Sequence, residues 1–128
     1  MPQFYRRCLI SAAVLAALAV ALGAFAAHGL KGQLSPRMLA AFITGSDYQM
    51  THALGLMLAA WMGQQQSQNP WFRRACLAFI IGILLFCGSL YIMALSGIAQ
   101  LGIITPFGGV SMLIAWVSLA MAFYQFNK

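Results

Sequence analysis

Few side chains in this chain can do chemistry, and they fall in four clusters. These are His28; Asp47, Tyr48, Gln49, Thr51 and His52; Ser89, Tyr91 and Ser96; and Thr105-Pro106 followed by Gly108-Gly109. Two imidazoles with a carboxylate or phenol nearby suggest first a metal site, since first-row metals favour imidazole. His28 and His52 are far apart, however, and no ligand-spacing motif surrounds either of them, so no metal is expected. The same two rings, held neutral, would serve equally well as hydrogen-bond staples between helices. Asp47 is the only acidic residue. It is open to a proton or cation role, or to an ion pair with Lys31 or Arg37 at an interface.

Catalysis finds less support. Serine, histidine and aspartate are all present, but no nucleophile elbow orders them. There is no phosphate-binding loop, dinucleotide fingerprint or haem attachment sequence. One carboxylate excludes paired-carboxylate chemistry within a single chain. The expectation is a non-enzyme without a cofactor.

The elements that must position these residues are membrane helices. Of 128 residues, 62% are hydrophobic and 6% are charged, against about 25% charged in soluble domains. Apolar runs reach or approach the ~20 residues that span hydrocarbon, giving spans at about 8–28, 47–64, 72–96 and 103–126. The second is the shortest and most polar. Arg6-Arg7 followed by an apolar run and Ala24-Phe25-Ala26-Ala27 looks like a secretory signal, but the run exceeds a typical signal core. A retained helix is expected.

The expected fold is all-α: one transmembrane domain over 1–128, an integral membrane four-helix bundle. A short amphipathic helix lies between the first two spans, because Ser35 can cap a helix opening at Pro36. Met38, Leu39, Phe42 and Ile43 then recur at helical spacing, and Gly45 and Ser46 are expected to end it.

Charge sets the orientation. With four spans and a cytoplasmic N-terminus, Arg6, Arg7, Arg73, Arg74 and Lys128 fall inside, while Lys31 and Arg37 fall outside, as the positive-inside rule requires. Tyr5, Trp61, Trp71, Phe72 and Tyr124 would line the inner interface. A three-span alternative would put Arg73 and Arg74 outside. The net charge of +6 is scattered rather than gathered in a stripe, so nucleic acid is not an expected partner. Membrane lipids are, with a second copy or another membrane protein as further candidates. Cys8, Cys76 and Cys87 lack metal spacing and read as small packing residues.

In this topology the polar clusters gather in the outer half of the membrane. Tyr48, His52, Gly55 and Ala59 share one helix face, and polar groups within spans usually face the bundle interior. The expectation is an outward-facing polar pocket contacted by His28, Tyr48, Gln49, His52, Ser89, Tyr91 and Thr105. Its ligand would be a lipid, a quinone-like molecule or a small solute. The rows Gly55, Ala59, Gly63 and Ala13, Ala17, Ala21 allow close helix packing within the chain or against a partner. An assembly protein packing on itself or on larger membrane proteins is the alternative function.

Four ordered motifs carry a resemblance. Gly23-Ala24-Phe25-Ala26-Ala27-His28-Gly29-Leu30 is similar to a GAFGAH-x-L signature, and Tyr48-Gln49-Met50-Thr51-His52-Ala53-Leu54 to YQ-x-x-HAL. Leu85-Phe86-Cys87-Gly88-Ser89-Leu90-Tyr91 is similar to LFSGSLY, and Ile104-Thr105-Pro106-Phe107-Gly108-Gly109 to ITP-x-GG. Together they resemble the domain of unknown function 423 family, small membrane proteins that include transmembrane protein 256 of animals. Ala26 and Cys87 are small departures, at positions where the signatures have glycine and serine. The resemblance implies a four-span protein of the bacterial plasma membrane, and it implies no activity.

Overall fold

The computed structural model describes residues 1–128, and its elements are helical throughout. Helix α1 (Gln3–Phe25) continues through a wider, π-type turn, Ala26–Leu30. Helix α2 runs over Pro36–Gln65, α3 over Pro70–Gly82 and α4 over Gly88–Ser96, with a second π-type turn at Ile83–Cys87 joining α3 to α4. A short 3₁₀ turn, Ala99–Ile103, leads into α5 (Thr105–Tyr124). Three stretches are long and apolar enough to cross a membrane: Gln3–Leu30, Pro70–Ser96 and Ala99–Tyr124. Helix α2 is as long, but its polar face dilutes its apolar character.

Helix starts follow local chemistry. Ser35 Oγ accepts from the Met38 N–H at 3.3 Å and Pro36 opens α2, as expected. Asn69 Oδ1 accepts from the Trp71 N–H, and Asn69 Nδ2 donates to the Ala122 carbonyl, so one side chain both caps α3 and fastens it to α5. Gly97 ends α4 in the left-handed region (φ 74°), where a side chain would be strained.

One expectation fails. The amphipathic segment from Pro36 does not stop at Gly45 and Ser46; it is the first part of a continuous 30-residue helix, about 45 Å long at 1.5 Å per residue. Both residues are buried within it. Ser46 Oγ donates back to the Ile43 carbonyl. A Cβ on Gly45 would lie 2.7 Å from the ring of Tyr91, so the glycine makes room for a neighbour and does not break the helix.

Helix α2 packs antiparallel to α1 over its whole length. Gly63 accommodates the ring of Tyr5 near one end, and Phe42 meets Phe25 edge-on near the other (ring centroids 6.2 Å apart). Helices α3 and α5 form a second antiparallel pair, with Ser111 Oγ donating to the Ala78 carbonyl at 2.8 Å. Where the π-type turn Ile83–Cys87 meets α5, a Cβ on Gly108 would fall on the Phe86 backbone; this glycine sets the closest approach in the bundle. The main core gathers Tyr5, Cys8, Leu56, Phe72, Cys76, Phe79 and Leu119 with small alanines. Tyr5 and Phe72 thus belong to the core and not to an interfacial belt. All three cysteines are buried thiols, as their reading as packing residues required.

Both termini and the α2–α3 turn share one end. Gln66 Nε2 donates to Asn127 Oδ1, and the Arg73 guanidinium sits 4.0 Å from the centroid of the Phe4 ring. Arg74 over Trp71 and Lys128 over Tyr124 add two more cation–π pairs there.

Candidate functional site

The polar residues of the four clusters do not meet in one outer pocket. They divide into a buried line, a polar pair, a side cavity and one isolated histidine, and helix α2 carries most of them.

The line crosses three helices. Gln49, 3% exposed, donates from Nε2 to the Leu15 carbonyl at 2.8 Å and accepts at Oε1 from the Tyr91 hydroxyl at 2.7 Å. Leu15 lies near the middle of the Gln3–Leu30 stretch, so this contact sits at mid-height and not at the outer mouth. Tyr91 gains its position from Gly45, which leaves space beneath its ring, and from Phe42, whose ring centroid is 4.9 Å away. No side-chain nitrogen or oxygen that is itself wholly enclosed lacks a hydrogen-bond partner. Gln49 and Tyr91 have committed their polar atoms to each other and to the backbone.

The pair is Ser89 and Thr105, whose hydroxyl oxygens are 2.6 Å apart, with Ser89 Oγ also donating to the Phe86 carbonyl. It ties the start of α4 to the start of α5. Thr105 also borders a cleft of about 520 Å³ whose floor is Phe86, Leu90 and Met93 and whose rim includes Arg37. His28 stands apart on the π-type turn, exposed and without a side-chain hydrogen bond.

The side cavity lies between α2 and α5. It encloses about 360 Å³ and is lined by Asp47, Tyr48, Thr51, His52 and Trp116. Residues 48 and 52 are one turn apart, so their side chains lie one above the other: the two rings stack 5.6 Å apart at 12°. His52 is 6% exposed, and its Nδ1 is 2.7 Å from the Tyr48 carbonyl oxygen. A carbonyl only accepts, so Nδ1 carries the proton, and in the neutral ring Nε2 is left with its lone pair. Such a backbone bond is the usual device that fixes a histidine tautomer. Nε2 has no hydrogen-bond partner within the protein.

Aromatic rings pack around the His52 imidazole. Trp116 meets His52 edge-on at 5.8 Å and Phe79 at 4.9 Å, while Phe86 lies 4.6 Å from Tyr48. Gly55 admits Phe79 and Trp116 to this wall, as the shared face of Tyr48, His52, Gly55 and Ala59 implied. Asp47 is exposed at the cavity edge and forms no ion pair with Lys31 or Arg37. Its backbone carbonyl accepts from Thr51 Oγ1.

Trp116 was not among the residues expected at a site, because it sits inside an apolar run. Its signal was its position: tryptophan prefers the ends of membrane spans, and this one is well inside Thr105–Tyr124. A further cavity, about 750 Å³, lies at the end that carries both termini, among Gln65–Pro70, Tyr124, Gln125, Asn127 and Lys128.

Comparison with known proteins agrees with the membrane architecture. A family model described as "Protein of unknown function (DUF423)" matches residues 22–109. The chain is 43% identical over 114 residues to the UPF0382 membrane protein YwdK of Bacillus subtilis, covering 89% of this chain and 93% of that protein. It is 42% identical over 106 residues to a UPF0382 membrane protein of Haemophilus influenzae, covering 83% of this chain and 84% of the relative. To the UPF0382 inner membrane protein YgdD of Escherichia coli it is 38% identical over 123 residues, with 96% and 93% covered. No solved structure matches. On these matches and this bundle, the chain belongs to the DUF423 family of membrane proteins.

Proposed function

We propose that this protein is a non-enzymatic, four-span protein of the bacterial inner membrane that binds a small amphipathic molecule in the cavity between α2 and α5. The observation that carries the reading is His52, a nine-tenths buried ring whose Nδ1 is engaged by its own helix and whose Nε2 is left without a protein partner beside the cavity. A volume of about 360 Å³ falls at the low end of the range for ligand sites, about 300–1,000 Å³. A few polar groups set among aromatic walls suit a lipid, a quinone-like molecule or a small solute.

The four-span topology rests on both termini lying at one end of the bundle and on α2 packing antiparallel to α1 along its length. The basic residues gathered at that end support a cytoplasmic position for it. Gln49, Tyr91, Ser89 and Thr105 act here as structural ties that hold α1, α2, α4 and α5 around the cavity.

Native mass spectrometry from gentle detergent tests this directly, with the wild type beside a His52→Phe variant of unchanged helicity. The expected result is a bound mass on the wild type that the variant has lost. A mass retained equally by both, or none on the wild type, would overturn the reading.

One observation favours the alternative of an assembly protein. Ala13, Ala17 and Ala21 are exposed along α1, whereas the Gly55–Ala59–Gly63 row is buried within the chain. Crosslinking from position 17 in native membranes would capture a second copy or another membrane protein if that reading holds, and only lipid if it does not.

A further inference from the structure

The chain's one carboxylate, Asp47, lines the same cavity as the open nitrogen of His52. It precedes by two residues the Gln49 whose bond reaches the mid-height Leu15 carbonyl. Within a spanning segment an ionisable group is costly, and it marks a candidate functional site with a specific partner. The seven basic residues lie at helix ends and connections, and none of them pairs with Asp47. The chain itself supplies no counter-charge to it.

We propose that the cavity binds a lipophilic organic ammonium ion. Asp47 supplies the opposite charge, and His52 Nε2 accepts one of the ammonium hydrogens. Trp116 and the exposed part of Tyr48, which line the cavity together, contact the cation and its apolar body. An inorganic cation fits poorly, because the molecule has no group of three or more histidine, cysteine or acidic side chains that could hold a metal ion. A ligand with an apolar body reaches the cavity by partitioning into the bilayer. It then enters from the side, past the half-exposed rings of Tyr48 and Trp116.

This inference rests on the cavity being a ligand site, and the experiment separates the two. The full chain in lipid nanodiscs is dialysed to equilibrium against 4-phenylbutylammonium and, separately, against 4-phenylbutanol, with binding to empty discs subtracted. The two probes share shape and donor position and differ in charge. The wild type is expected to hold the ammonium about tenfold more tightly than the alcohol, the equivalent of one short-range charge interaction. Asp47→Asn, a change at an exposed position, should remove that margin while leaving the alcohol's affinity within about twofold. Trp116→Leu should weaken both probes. Equal binding of the two probes, unaffected by Asp47→Asn, would overturn the cation and leave the ligand site standing. No binding of either above empty discs would overturn both.

Discussion

Two neighbouring faces of helix α2 treat polar groups in opposite ways. On the first, Gln49 faces α1 and α4, and both ends of its amide are bonded, to the Leu15 carbonyl and to the Tyr91 hydroxyl. On the second, His52, almost as buried, uses one ring nitrogen to bond its own helix and leaves the other open beside a cavity. The residues are three positions apart and similar in polarity. What differs is the neighbour: Gln49 meets a helix close enough to answer it, while His52 meets a gap between α2 and α5 rimmed by Trp116. Burial alone does not distinguish these two residues; unmet hydrogen-bonding capacity beside open space does.

Substitutions should therefore divide by side. Gln49→Leu strands the Tyr91 hydroxyl and the extra bond at Leu15, and should cost about 2–3 kcal/mol of stability, in keeping with the penalty for unpaired buried polar groups. Thermal unfolding in detergent measures it, and a loss as small as that of an exposed-site control would break the comparison. Gly45→Ala drives a Cβ onto the Tyr91 ring, so about 1–3 kcal/mol should be lost by overpacking. A double-mutant cycle of Gln49→Leu with Tyr91→Phe should give a coupling of about 1 kcal/mol, inside the range seen for hydrogen bonds between membrane helices. Zero coupling would mean that the 2.7 Å contact carries no energy. Smallest of all in stability should be His52→Phe, at under about 1 kcal/mol because aromatic stacking survives, with ligand binding lost. If His52→Phe destabilises as much as Gln49→Leu, the cavity side is structural too.

Much of this was legible beforehand. Hydrophobic run length marked the helices, Ser35-Pro36 marked the start of α2, and spacing put Tyr48, His52 and Gly55 on one face. Gly45-Ser46 misled, because a glycine before a serine reads locally as a breaker, and only the ring of Tyr91 packed against it shows why it is there. The single outer pocket misled for a related reason. Residues at similar expected depth on four helices can point to different neighbours, and rotation of a helix about its axis is not fixed by run length. The division of Gln49 from His52 and the place of Trp116 in the wall both follow from that rotation.

Composition and run length by themselves determined a helical membrane protein, because backbone polar groups in lipid must be satisfied within a helix and few charges can be carried there. The order of charges and aromatics determined which helix ends lie together. Only the tertiary structure decided which polar groups are answered and which are left open. Hydrogen bonds act over about 3 Å, and helix contacts at Gly45, Gly55 and Gly108 set distances on that scale.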